Sequence, residues 1–138
     1  MNCAILEDSP VRKKTWLREY CPRKGLDAMV IPFAEEFISF LAANKKDIKR
    51  VYLDHDLHNV NHLPKSVTGS GGDVVDWLEK HKDDEELKAI EYTVHSMNTR
   101  KGNKMVRKLK EAGYNVERIP YCILMLQVPP SSLERDQS

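Results

Sequence analysis

The feature that most limits how this chain can fold is an alternation of short apolar runs of strand length with segments of helical periodicity. NCAIL (residues 2–6) is the first run. A helix follows in SPVRKKTWLREY, where Ser9 supplies an N-cap and Pro10 the first helical position. AMVIP (28–32) is a second strand, and residues 33–43 then place Phe33, Phe37, Phe40 and Leu41 on one helical face. VYL (51–53) is a third strand, followed after a polar loop by a helix from residue 71 that turns Val74, Val75 and Leu78 inward. IEYTV (90–94) is a fourth. The helix after it, residues 99–112, is built on Met105, Val106, Leu109 and Ala112 with Gly113 at its C-terminal cap. NVERI supplies the fifth strand. Such alternation predicts a parallel sheet covered by helices on both faces.

One domain accounts for the chain. Its 138 residues, 41% of them hydrophobic, suffice for a single core. No repeat, linker or low-complexity segment divides it. The expected domain spans residues 1–128, with 129–138 as a disordered tail; CILMLQV (122–128) reads as an edge strand, a short helix or a homodimer contact. Three widely spaced cysteines, Cys3, Cys21 and Cys122, predict reduced thiols rather than a disulfide framework. The charged first twenty residues leave no room for an apolar signal or membrane segment, which predicts a soluble, cytoplasmic protein. A net charge of +1 argues against an extended nucleic-acid surface.

The strand ends carry the chemistry. Ligands of open α/β sheets bind beyond the carboxyl ends of the strands. Here Glu7 and Asp8 follow strand one, Asp54 and Asp56 follow strand three, and His95 and Ser96 follow strand four. Four carboxylates at one rim repel one another unless a cation lies among them. Oxygen donors of this kind suit Mg²⁺, Mn²⁺ or Ca²⁺, so Glu7, Asp8, Asp54 and Asp56 are the expected metal ligands. Each of them can equally cap a helix. The HxxH of His55 and His58 lacks a third imidazole at fixed spacing and is a weak zinc signal, and His62 falls in the polar loop.

Two further stretches border this rim. From Arg100 to Lys110 the chain holds six basic residues and no acid, and the start of that helix suits a phosphate group. Ser96, Asn98 and Arg100 are the expected phosphate contacts there. His95 is the expected acid or base, and Lys108 and Lys110 belong to a solvated outer face. TGSGGD (68–73) lets backbone amides approach an anion, which makes Ser70 and Gly71 candidate ligand contacts; it lacks the GxxxxGK[ST] pattern of an ATPase.

Together, LEDSPVRKKTW, LDHDLH, GSGGDVVDWL, VHSMN and VERIPY resemble the cyclic-phosphate processing receiver domains, a divergent branch of the receiver fold met in phage and bacterial genomes. The resemblance runs from about residue 2 to 121. It implies a receiver-like (flavodoxin-like) α/β fold with an open five-stranded parallel sheet, an acidic pocket for a divalent metal, Mg or Mn, and a ligand bearing a cyclic phosphate or cyclic nucleotide. Asp54 matches the phosphoacceptor position of ordinary receivers. The Lys-Pro expected after strand five reads Arg118-Ile119-Pro120, and His95-Ser96 stand where a switch Thr or Ser is expected. Two classes of function follow. One is a metal-dependent phosphoesterase acting on a cyclic (oligo)nucleotide, such as a signalling nucleotide of antiviral defence, or on a cyclic RNA end, with His95, Asp54 and Asp56 catalytic. The other is a module that binds or sequesters such a nucleotide, or a degenerate phosphoacceptor receiver.

Overall fold

A computed structural model describes residues 1–57 and 69–127. His58, His62 and the tail expected at 129–138 lie outside the described residues. The five strands, β1 (Cys3–Leu6), β2 (Ala28–Ile31), β3 (Arg50–Leu53), β4 (Glu91–Val94) and β5 (Asn115–Arg118), form one sheet in the order β2-β1-β3-β4-β5. Every neighbouring pair is parallel. The expected alternation is therefore the architecture, and both faces of the sheet carry helices.

One face buries Leu6, Leu53 and Val94 under α3 (Ala34–Asn44), α4 (Gly71–Lys80) and α6 (Thr99–Glu111). The inward residues of these helices, Phe37 and Leu41, Val74 and Leu78, Met105 and Leu109, are spaced three or four apart, as an amphipathic stripe requires. The other face buries Ile5 and Tyr52 with Trp16, Tyr20 and Leu124. Pleating sends alternate residues of each strand to opposite faces, so β1, β2 and β3 feed both cores, whereas β4 and β5 supply only the first.

The first helix differs in detail from its sequence pattern. Ser9 caps α1 (Pro10–Thr15), its Oγ accepting from the Arg12 N–H at 3.2 Å. The chain then widens into a π-helical turn over Trp16–Tyr20, closed by Cys21 N–H donating to the Trp16 carbonyl, before α2 (Cys21–Lys24). Pro22 explains the widening, since it has no N–H to offer the preceding turn and its ring crowds that turn's carbonyl. Two more short helices lie among the described residues. α5 (Glu85–Lys88), which periodicity did not single out, is capped by Asp84. α7 (Tyr121–Leu126) makes a short helix rather than an edge strand of the apolar run up to residue 126, with Leu124 buried and Ile123 and Leu126 exposed. The three cysteines are free, and burial raises the Cys3 and Cys21 thiols above their ordinary range. Among the described residues no helix is long and apolar enough to cross a membrane.

Candidate functional site

Strand register builds the site. Leu6 pairs with Leu53, and Leu53 with Val94, so the next residue of each strand, Glu7, Asp54 and His95, arrives in one row at the carboxyl edge. Backbone bonds hold that row beyond the strands: Asp54 N–H donates to the Leu6 carbonyl and His95 N–H to the Leu53 carbonyl. The side chains belong to the face opposite Leu6, beneath α1 and α7. One donor atom from each of Glu7, Asp54 and His95 lies within 4.8 Å of the others. All three residues are buried, with Glu7 2%, Asp54 7% and His95 0% exposed.

The neighbours of these groups set their charge. Trp16 donates from Nε1 to Glu7 Oε1 at 3.3 Å, and Arg12 Nη1 stands 4.0 Å from the same oxygen. Burial opposes ionisation of Glu7, but His95, Trp16 and Arg12 together outweigh it and hold the carboxyl below its usual range. Asp54 goes the other way. Burial raises it and the Glu7 charge adds to the rise, against the opposing influence of His95 and of the His55 N–H, which donates to Asp54 Oδ1 at 2.8 Å. The ionised form is thus favoured at Glu7, whereas Asp54 keeps its proton to higher pH than an ordinary aspartic acid.

His95 is the key to what the pocket accepts. Its ring packs against Trp16 at 5.1 Å between centroids, with Tyr121 beyond. Its Nε2 lies 3.5 Å from Glu7 Oε1, close enough for electrostatic attraction but too far for a well-formed hydrogen bond. Both ring nitrogens are buried and find no hydrogen-bond partner among the described residues. A buried polar atom left unsatisfied costs about 1–3 kcal/mol. Two ionisable carboxyls converging on an imidazole with orphaned nitrogens are a donor set that fits a divalent cation.

The other expected site residues are placed differently. Asp8 and Asp56 are not part of the three-residue cluster; Asp56 Oδ1 instead meets His55 Nδ1 at 2.7 Å. Ser96 is buried, and its Oγ accepts from the Asn98 N–H, while Asn98 Oδ1 accepts from the Lys101 N–H as the N-cap of α6. Arg100 opens onto a shallow surface cleft with Asn103, Lys104 and Arg107 rather than onto the carboxylates. Ser70 caps α4, with its N–H donating to Asp73 Oδ2. The Gly71 N–H, expected at an anion, is spent on the His55 carbonyl at 2.9 Å. Lys110 is exposed as expected, and Lys108 remains at the surface but bridges there to Asp76 at 2.7 Å and Glu79 at 3.2 Å, because α4 packs alongside α6.

Sequence reasoning gave several contributors no role at the site. Arg12 and Trp16, four apart on the first helix, both reach Glu7, and their i, i+4 spacing behind an acidic strand end was the available signal. Arg118, where a receiver lysine was expected, lies across Gly102 and donates from Nη2 to the Ser96 carbonyl at 2.9 Å. It braces the loop into α6. His55 lines a cavity of about 260 Å³ between α4 and α6 together with Gly72, Lys101, Lys104 and Met105.

No curated protein matches this chain. Solved structures do. The signal receiver domain of a protein described as a Luxo repressor from Vibrio parahaemolyticus aligns with a TM-score of 0.58 at 15% identity, covering 99% of this chain and 96% of that one. A response regulator from Burkholderia pseudomallei, solved with a phosphorylated aspartic acid, a calcium ion and citrate, aligns with 0.58 at 15%, covering 99% and 70%. NtrX from Brucella abortus aligns with 0.56 at 14%, covering 97% of this chain and 26% of its own. These likenesses establish the receiver fold. The model of the cyclic-phosphate processing Receiver domain matches residues 6–111, and the chain belongs to that family.

Proposed function

We propose that this domain is a divalent-cation-dependent phosphoesterase that opens a cyclic phosphate in a nucleotide or at an RNA end. The observation that carries the reading is the buried cluster of Glu7, Asp54 and His95 with both imidazole nitrogens unsatisfied by any described residue. A cation held there supplies positive charge and Lewis acidity beside a phosphoryl group. The two carboxylates suit Mg²⁺ and Mn²⁺ alike, and the imidazole nitrogen favours a transition-metal ion over Mg²⁺.

The chain's own residues prepare that site. Glu7, kept ionised by His95, Trp16 and Arg12, is a standing anionic donor. Asp54, whose carboxyl burial raises above its ordinary value, would be the second carboxylate donor, and a bound cation would favour its ionised form. Trp16 and Tyr121 wall the imidazole off from water. Arg118, committed to the Ser96 carbonyl, does not replace the lysine of a phosphoaccepting receiver, which weighs against stable phosphorylation of Asp54.

The test incubates the protein with cyclic mono-, di- and oligonucleotides and with 2′,3′-cyclic-ended RNA, each with Mg²⁺, Mn²⁺ or EDTA, and reads products and retained ligand by mass spectrometry. Metal-dependent ring opening is the expected result. Retention of intact ligand without product, or a stable phosphate on Asp54 after acetyl phosphate treatment, would replace this reading with a binding module or a phosphoaccepting receiver.

A further inference from the structure

A phosphoryl group drawn to the Glu7, Asp54 and His95 cluster needs a protein cation beside it, and the contacts expected from sequence do not supply one. Ser96 and Asn98 are spent on the turn into α6, and Arg100 opens onto a different surface. The side chains of the cluster lie beneath α1 and α7, so the missing cation has to come from that side. Arg12 of α1 does.

Its guanidinium stands at the mouth of the cluster. Nη1 is 4.0 Å from Glu7 Oε1, and the Arg12 side chain is 33% exposed where that of Glu7 is 1% exposed, so it joins the buried carboxylate to solvent. Against the burial that opposes ionisation of both acids, its charge favours the ionised forms of Glu7 and Asp54 alike. An arginine dedicated to bracing Glu7 would close to about 2.7–2.9 Å. At 4.0 Å it does not, and the guanidinium donates no hydrogen bond among the described residues.

What fixes the guanidinium is an aromatic ring. Its Cζ lies over the Tyr121 ring, 4.4 Å from the centroid. Stacking occupies a face of the guanidinium plane and leaves the N–H groups at its edge free to donate. Tyr121 is tied to the same strand end that carries His95: its backbone N–H donates to the His95 carbonyl at 2.9 Å, and its ring packs 5.8 Å from that of Trp16.

Resting on the phosphoesterase reading, we infer that Arg12 is the substrate-binding residue that takes the non-bridging oxygens of the phosphoryl group, on the α1–α7 side of the cluster, with Tyr121 as the positioning residue that holds the guanidinium plane. A planar fork of N–H donors matches two phosphate oxygens at once, which a lysine at the same place cannot do.

The experiment measures Mn²⁺ binding, then binding of adenosine 3′-monophosphate to the Mn²⁺-loaded protein, both by calorimetry, together with KM for 2′,3′-cyclic AMP. Arg12→Gln is expected to weaken nucleotide binding about tenfold or more and to raise KM to a similar extent. Mn²⁺ should bind that variant as tightly as wild type or a few-fold tighter, because a positive charge has left the carboxylates. Arg12→Lys should return Mn²⁺ affinity to the wild-type value and recover only part of the nucleotide affinity. Tyr121→Leu should lower nucleotide affinity a few-fold, and Tyr121→Phe should restore it. Arg107→Ala, on the surface cleft of α6, is the control for bulk charge and should stay within about twofold of wild type. Thermal melts establish that each variant is folded, and Arg12→Lys carries the comparison if Arg12→Gln is not. Unchanged nucleotide affinity and KM in Arg12→Gln overturn the inference and spare the phosphoesterase reading. Loss of Mn²⁺ affinity together with nucleotide affinity also overturns it, because Arg12 is then only a brace for Glu7. Nucleotide binding that depends on Arg12 in a protein without turnover refutes the phosphoesterase reading and keeps Arg12 as the phosphate contact. A wild type that neither binds nor turns over these nucleotides overturns both.

Discussion

Gly71 occupies a position that no other residue fits, and its replacement by alanine gives a quantitative test of how α4 seats against the sheet edge. A Cβ there would stand 1.9 Å from the Asp54 carbonyl oxygen and 2.8 Å from Met105 Cε. Met105 can rotate away. The carbonyl cannot move without disturbing the Gly71 N–H bond to His55 and the His55 N–H bond to the Asp54 carboxylate. Overpacking of this kind costs about 1–3 kcal/mol and a weakened hydrogen bond about 1 kcal/mol more. Replacing a helical glycine returns roughly 0.5–1 kcal/mol. The net is a loss of about 1–3.5 kcal/mol, or roughly 3–12 °C in Tm for a domain of this size. Gly72→Ala is the internal control, since its Cβ would meet only Ser70 Oγ at 3.3 Å and His55 Nε2 at 3.8 Å. That variant should melt within a few degrees of wild type. Thermal and urea melts of the two variants decide the matter, and equal melting of Gly71→Ala and wild type would refute the close approach of α4 to the Asp54 backbone.

Two other substitutions probe the frame around the site. Tyr52→Phe strands the Tyr20 hydroxyl, which shares a 2.8 Å hydrogen bond with Tyr52 in the second core, and should cost about 1–2 kcal/mol in urea unfolding. Adding Tyr20→Phe should recover part of that loss, and a double variant as unstable as the two single losses summed would contradict the pairing. Asp84→Ala removes the cap of α5, where Asp84 Oδ1 accepts from Glu86 and Leu87, and should cost about 1 kcal/mol. The Lys45 hydrogen bond lowers the Asp84 carboxyl below its ordinary value of 3.8, so this contribution is full above that pH and fades as acid is added through the lowered value. A difference between wild type and Asp84→Ala that grew on acidification would show the sign to be wrong.

The sequence is more informative about the frame than about the pocket, for identifiable physical reasons. Strands of four residues, three of which feed two cores, appear as plain apolar runs, and Ser9, Pro10 and Gly113 punctuate their helices as local chemistry dictates. Glu7, Asp54 and His95 were legible because each stands one residue past an apolar run, and parallel register does the rest. What sequence could not give was the distribution of partners. Asp56 lies in the same short motif as Asp54 but joins His55, because successive residues beyond a strand end no longer share one face. Arg100 belongs to the basic run yet turns outward, while Lys108, eight residues on, is pulled onto Asp76 and Glu79 by helix packing. Gly71 resembled part of an anion cradle, and only the tertiary contact with Asp54 shows that its lack of a side chain serves packing.

The central claim is that Glu7, Asp54 and His95 together hold a divalent cation, and titration of Mn²⁺ into the metal-free protein measures it directly. Calorimetry and melting should be read on wild type, Asp54→Asn and His95→Gln. Wild type should bind one ion at this cluster and gain about 2.7 kcal/mol of stability at a free Mn²⁺ concentration a hundredfold above Kd. Both variants should lose that gain. Because burial raises the Asp54 carboxyl, its ionised form opposes folding at neutral pH, a penalty absent below its unfolded pKa. Metal-free Asp54→Asn should therefore melt no lower than metal-free wild type. A Mn²⁺-induced shift of the same size in wild type and both variants, or none in wild type at millimolar Mn²⁺, would contradict the claim.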